Sequence, residues 1–169
     1  MPDYSKIKLI VLDVDGTLTD GGIYYDSQGN EMKRFDVKDG LGIKVGLAAG
    51  LEFAVITGRE SPMVERRVRE LGIRHLLQGT QKKVPALRKL AEERDLSLDE
   101  IAYMGDDLND LPAMRLVGVR ACPADADKQV RELCDYVSKQ NGGHGAVRTF
   151  IQEILTNTGI WVTVSEMLY

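Results

Sequence analysis

Residues 8–17 read KLIVLDVDGT, an unbroken apolar run that closes on two carboxylates, Asp13 and Asp15, and then on Gly16. Apolar residues without alternation mark a strand covered on both faces, as in a parallel sheet, and the glycine marks where the chain turns out of it. The segments LEFAVIT, RHLLQG, IAYMGD, VGVRA and DYVSK repeat the pattern along the chain. Between them apolar residues recur at helical spacing. Val64, Val68 and Leu71 follow Ser61-Pro62, an N-cap and first-turn pair, and precede Gly72, which suits a left-handed helix end. Val84, Leu87, Leu90 and Ala91 mark a second helix, and Val147, Phe150, Ile151, Ile154 and Leu155 a C-terminal one, with shorter helices over 43–49, 110–116 and 126–133. Strand and helix alternate, so the expected fold is α/β, a Rossmann-like three-layer sandwich with a mostly parallel central sheet. Such sheets bind ligands beyond the carboxyl ends of their strands.

Residues 21–36, GGIYYDSQGNEMKRFD, break this rhythm: two strand-like runs flank Ser27-Gln28-Gly29, the pattern of a β-hairpin inserted after the first strand. The hairpin is expected to expose Tyr24, Tyr25, Met32 and Phe35. A two-stranded unit is marginal alone and has open edges, so it is expected to pack against another copy of the chain, folding back on its own domain being the alternative. The segment is too short for a cap domain.

The 169 residues suit one domain spanning 1–169, and a net charge of -4 argues against a protein that relies on neutralising a nucleic-acid backbone. Cys122 and Cys134 form no CxxC pair, and His75 and His144 are isolated, so zinc and redox readings lack ligands. No apolar run has the length of a signal-peptide core or membrane span, which makes the cytoplasm the expected compartment.

The strand ends carry the chemistry. Asp13 at the first is a candidate nucleophile and Asp15 a candidate acid and then base, which requires Asp15 to be crowded by other carboxylates; read alone, the same residues are an Asp-Gly turn. Thr57, Gly58 and Arg59 end the second strand with a hydroxyl and backbone N–H groups suited to phosphoryl oxygens, while Thr57 as a helix cap is the alternative. Lys83 opens the helix after the third, where its charge opposes the helix dipole and so points to a use. Asp106, Asp107 and Asp110 crowd the loop after the fourth, and their repulsion calls for a hard cation such as Mg²⁺, with Asp106 as ligand; Asp110 as a helix N-cap is the alternative.

These four ends share one rim of one sheet, and together they resemble the haloacid dehalogenase superfamily, over nearly the full length, in its class without a cap. DVKDGLGIK, ITGR, QGxxxK, GDDLND and GGHGAVR further resemble the family of 3-deoxy-D-manno-octulosonate 8-phosphate phosphatases. The resemblance implies an Mg²⁺-dependent phosphatase of lipopolysaccharide precursor synthesis, a homotetramer joined through the hairpin, that works through an aspartyl phosphate. It implies metal held by Asp13, Asp106 and the Asp15 carbonyl oxygen, Asp107 and Asp110 behind them, and Asp13, Asp15, Thr57 and Lys83 in catalysis. Substrate contacts are implied for Asp15, Asp36, Val37, Lys38, Asp39, Gly40, Lys44, Gly58, Arg59, Arg67 and Lys83, partly across subunits. Lys38, Lys44, Arg59 and Arg67 offer cations for a sugar acid's carboxylate. Arg59 stands where phosphatases of nine-carbon sialic acid type 9-phosphates tend to carry glutamate, which favours the eight-carbon acid. Those phosphates, another acidic sugar phosphate, or a noncatalytic oligomeric binding protein are the alternatives. The apolar tail TNTGIWVTVSEMLY is expected to dock through Trp161, Val162, Val164, Met167 and Leu168, over the site, on a neighbouring subunit or on the home sheet.

Overall fold

A computed structural model describes residues 2–168. Strand β1 (Leu9–Leu12) pairs in parallel with β4 (Glu52–Ile56) on one side and with β6 (Ile101–Met104) on the other. Strands β5 (His75–Leu77), β7 (Val119–Cys122) and β8 (Tyr136–Val137) complete a six-stranded sheet in the order β5-β4-β1-β6-β7-β8, with every pairing parallel. All four residues of β1 are fully buried, as an unbroken apolar run demands.

Because side chains alternate across a strand, the one run feeds two cores. Ile10 and Leu12 join Phe53, Val55 and Met104 against helices α1 (Val37–Ala48), α2 (Pro62–Leu71) and α6 (Ala146–Asn157). Leu9 and Val11 join Ala54, Ile56 and Tyr103 against α3 (Lys83–Glu93), α4 (Leu111–Met114) and α5 (Lys128–Leu133). Phe53 and Phe150 are essentially inaccessible, and truncating such a ring to alanine costs about 3–5 kcal/mol.

The insertion is a hairpin of two short strands, β2 (Tyr24–Tyr25) and β3 (Glu31–Met32), antiparallel with Tyr24 opposite Met32 and Tyr25 opposite Glu31. Asp26 folds the turn: its carboxylate accepts the N–H groups of Gln28 and Asn30, both at 2.8 Å, and the Asn30 amide at 2.7 Å. A bridge between Thr19 and Phe35 closes the base. Tyr24, Tyr25 and Met32 are exposed as expected, but Phe35 is not: it packs on the core, with the Arg67 guanidinium 5.8 Å from its ring centroid.

The C-terminal segment is a helix, α7 (Trp161–Leu168), lying against α1 and α6. Within one chain only part of the expected docking is made. Trp161 and Val164 pack on the core, Arg148 covering the Trp161 ring at 4.8 Å, whereas Val162, Met167 and Leu168 face outward because the helix turns them away. Both cysteines are free thiols. Among the described residues no helix is long and apolar enough to cross a membrane.

Candidate active site

The ladder register fixes which strand ends meet. Leu12 stands level with Val55 and Met104, and the Asp13 N–H continues the ladder by donating to the Met104 carbonyl at 3.0 Å. Asp13, Thr57 and Asp106 therefore emerge at neighbouring positions on the carboxyl rim. The chain then turns at Gly16, whose φ of +92° favours glycine and where a Cβ would collide with the Asp106 carboxylate. The loop after β8 clasps this turn from outside. Gly143 N–H donates to the Thr17 carbonyl at 3.1 Å, and a Cβ on Gly142 would strike the Gly16 carbonyl.

Lys83, the first residue of α3, sends a side chain only 1% exposed to Asp13 Oδ1 and Asp110 Oδ1, 2.6 Å from each. Asp110 also accepts the Tyr103 hydroxyl on Oδ1 at 2.9 Å, and the N–H groups of Asp106 and Asp107 on Oδ2 at 3.1 and 3.4 Å. Asp110 sits at the N-cap position of α4 yet makes no side-chain cap bond; its carboxylate is a buried hub that ties β6 to Lys83. Ser61 likewise occupies the cap position of α2 without capping it, its Oγ buried and without a partner.

Electrostatics follow from this crowding. Burial, then the charge of Asp110, pushes the Asp13 carboxyl up to about 7 against the pull of Lys83. Burial, then Asp13, Asp110 and Asp107, pushes Asp106 up to about 8. Burial by itself would lower Lys83, but the Asp13 and Asp110 charges outweigh it and hold the ammonium above its ordinary value. Burial and the same carboxylates raise the Tyr103 hydroxyl. Crowding thus falls on Asp13, Asp106 and Asp110 rather than on Asp15, whose Oδ1 instead meets Lys33 Nζ at 2.5 Å.

Carboxylate oxygens of Asp13, Asp106 and Asp110 lie within 4.8 Å of one another, a donor set of hard oxygens. Both oxygens of Asp110 are already bonded, whereas among the described residues no hydrogen bond reaches Asp13 Oδ2 or Asp106 Oδ2. Three carboxylates face one ammonium, which leaves the group short of two positive charges, the charge of one divalent ion.

Other expected residues take separate places. Thr57 is buried at the end of β4, its N–H given to Leu77 and its carbonyl receiving Thr80 N–H, both at 3.0 Å. The Gly58 carbonyl accepts the Gln81 amide at 3.0 Å. Arg59 is exposed at the rim and bonds Glu31 at 3.0 Å. Asp36 caps α1, accepting Lys38 and Asp39 N–H, so Val37 and Lys38 stand exposed at that helix start. Gly40 makes room for the Arg67 guanidinium, which donates to the Asp36 carbonyl at 3.1 Å.

Two residues are engaged elsewhere. Asp39 is buried against the start of α6, accepting Gly145 N–H at 3.3 Å and Arg148 N–H at 2.8 Å, and burial pushes its carboxyl up to about 6. Lys44 donates to the Glu70 carbonyl at 3.0 Å, at the end of α2 remote from the rim, so within one chain it does not line the site. Asp107 is exposed, and His144 bonds the Gly142 carbonyl. Sequence reasoning missed Tyr103, Lys33, Glu31 and Thr17, whose hydroxyl donates to Asp106 at 3.3 Å. For Glu31 and Lys33 the available signal, strand alternation, runs over too few residues to assign a face.

The sequence profile of the haloacid dehalogenase-like hydrolases matches residues 76–151. The chain is 44% identical over 154 residues to the 3-deoxy-D-manno-octulosonate 8-phosphate phosphatase of Escherichia coli K12, covering 91% of this chain and 82% of that protein. The crystal structure of the phosphatase of that name from Moraxella catarrhalis, in complex with magnesium ion, phosphate ion and KDO, superposes with a TM-score of 0.94 at 41% identity, covering 98% of this chain and 97% of that one. A cobalt-bound form from Haemophilus influenzae superposes with a TM-score of 0.92 at 38% identity, over 98% and 99% of the two chains.

Proposed function

The chain belongs to the haloacid dehalogenase-like hydrolases, in the family of the 3-deoxy-D-manno-octulosonate 8-phosphate phosphatases, and from that membership we propose that it cleaves 3-deoxy-D-manno-octulosonate 8-phosphate to the sugar acid and phosphate, in lipopolysaccharide precursor synthesis. The observation that carries the reading is the nucleophile's setting: Asp13 on the rim, one oxygen on Lys83 and the other without a hydrogen bond among the described residues.

Magnesium fits the open oxygens of Asp13 and Asp106, with the Asp15 carbonyl as a further oxygen, and when bound it supplies charge neutralisation beside the phosphate. The chain's own residues do the rest. Lys83 orients Asp13, whose carboxylate forms a bond to phosphorus as the bond to the sugar oxygen breaks. Asp15 gives its proton to that oxygen and then takes one from the water that hydrolyses the aspartyl phosphate. The Thr57 hydroxyl and the Lys83 ammonium hold nonbridging oxygens in line. Arg59, Arg67 and Lys38 offer charge to the sugar's carboxylate at the open mouth, and Lys44 can serve only another subunit's site.

The hairpin supports the proposed homotetramer: Ile23, Tyr25 and Met32 are 53%, 61% and 54% exposed, on a unit that buries little of itself. Phosphate release from a panel of sugar phosphates, with and without Mg²⁺, tests the activity. The octulosonate ester is expected to be turned over with the metal present, and Asp13→Asn to be inactive; a wild type that releases none, or an equally active Asp13→Asn, removes the reading. A wild-type solution mass of one chain removes the tetramer alone.

A further inference from the structure

Side chains on β3 and its continuation alternate: Met32 faces outward, 54% exposed, while Glu31 and Lys33 face the rim. A lysine on a short hairpin is ordinarily solvated, but the Lys33 side chain is only 1% exposed. A buried ammonium needs a counter-charge close by, and this one has two, Asp15 Oδ1 at 2.5 Å and Glu31 Oε1 at 3.5 Å. Glu31 Oε1 also accepts Arg59 Nη2 at 3.0 Å, so the hairpin and the loop after β4 are joined through one carboxylate. Asp15 follows a strand end and precedes a glycine turn, and no hydrogen bond among the described residues other than that from Lys33 holds its carboxylate.

We propose that Lys33 is a positioning residue for catalysis, whose ammonium holds Asp15 where it gives a proton to the sugar oxygen and takes one from water, with Glu31 fixing Lys33 in turn. The inference rests on the acid and base role of Asp15 proposed above. It assigns the hairpin a part in the chemistry of its own chain, separate from any contact with a neighbour. Proton transfer by a positioned side chain is worth about 10²–10⁴-fold, and a side chain that only places the acid should command part of that.

The decisive experiment is a double-mutant comparison on octulosonate 8-phosphate. Lys33→Met is expected to lower kcat about 10–100-fold with KM changed less than about threefold, because the lysine acts on Asp15 and not on the substrate. In an Asp15→Asn background the same substitution should cost nothing further, since residues acting as a unit are not additive. Methylammonium should restore saturable activity to Lys33→Ala and should fail to do so when Asp15 is Asn. A second loss of similar size in the Asp15→Asn background, a Lys33→Met enzyme with wild-type kcat, or Lys33→Ala unresponsive to amine overturns the proposal. Wild-type turnover is read first, so failure of the phosphatase reading is seen separately, and an Asp15→Asn enzyme at the wild-type rate overturns both.

Discussion

Two lysines, each 1% exposed at the side chain, end on the two carboxylates of the same motif, Lys83 on Asp13 and Lys33 on Asp15, yet they are held by different means. Lys83 belongs to the frame: it opens α3, and the partner it shares with Asp13 is Asp110, which is itself bonded by Tyr103 and two backbone N–H groups. Lys33 belongs to the insertion: it lies between a ladder of two residue pairs, joined by a turn that Asp26 folds, and the single Thr19–Phe35 bridge at the base. The difference separates two tasks. On the roles proposed above, the nucleophile is oriented by the core that gives the domain its stability, while the group that moves protons is oriented by a small, open unit whose other face is exposed.

The largest effect expected on this contrast comes from Lys83→Met. Removing a cation that faces the developing phosphoryl charge should lower kcat by about 10³-fold. It also leaves Asp13 and Asp110 buried without their ammonium, and breaking a buried pair costs about 3–5 kcal/mol, to be read from urea unfolding. Lys33→Met is expected to lose less on both measures. If instead it unfolds the protein as readily, the insertion is part of the frame and the contrast fails.

A second test uses pH in metal-free protein. Folding raises Asp13 from 3.8 to about 7 and Asp106 from 3.8 to about 8, chiefly through burial. Both groups bind protons more tightly in the folded chain, so their contribution to stability is full below 3.8 and is lost as pH rises through about 7–8. The two charges act on each other, so the loss is less than the sum of the shifts. Asp39, raised by burial to about 6, adds to the same slope. The urea midpoint should therefore fall from pH 5 to pH 8, and Asp106→Asn should flatten the fall. A slope untouched by that substitution and removed by Asp39→Asn would move its origin from the rim to the α1–α6 contact.

The same division governs what could be read from the sequence. The central strands β1, β4 and β6 were legible because burial on both faces writes itself as a continuous apolar run, and the rim carboxylates because they follow such runs. Lys83 was legible because a lysine at a helix start opposes the dipole. Tyr103 was not: within IAYM it reads as one more core residue, and only the fold reveals that its hydroxyl reaches Asp110. Lys33 was hidden because a hairpin of two residue pairs offers too few alternations to assign a face. Asp39 and Lys44 lie on one helix, α1, and its packing decides their fates, Asp39 against the α6 N-terminus and Lys44 on the last turn of α2. Sequence order says nothing of such packing. Phe35 similarly looked like part of an exposed hairpin but sits at its base, where the chain rejoins the core.

The smallest effect is the most specific to the insertion. Asp26 accepts three hydrogen bonds within the turn, at 2.7–2.8 Å, all in solvent. Losing exposed bonds of this kind costs about 1 kcal/mol, and the cost should fall on the hairpin because the sheet makes no use of them. Asp26→Ala should therefore speed amide exchange in residues 24–32 while lowering the global unfolding free energy, read from urea, by no more than about 0.5 kcal/mol. If the ladder is what delivers Lys33 to Asp15, kcat should fall about two- to fivefold, the fraction of time the hairpin is open setting the loss. If exchange quickens and kcat does not move, Lys33 is held by Asp15 and Glu31 alone, and the hairpin follows the ion pair rather than placing it. The comparison would then run the other way, with the catalytic carboxylate organising the insertion.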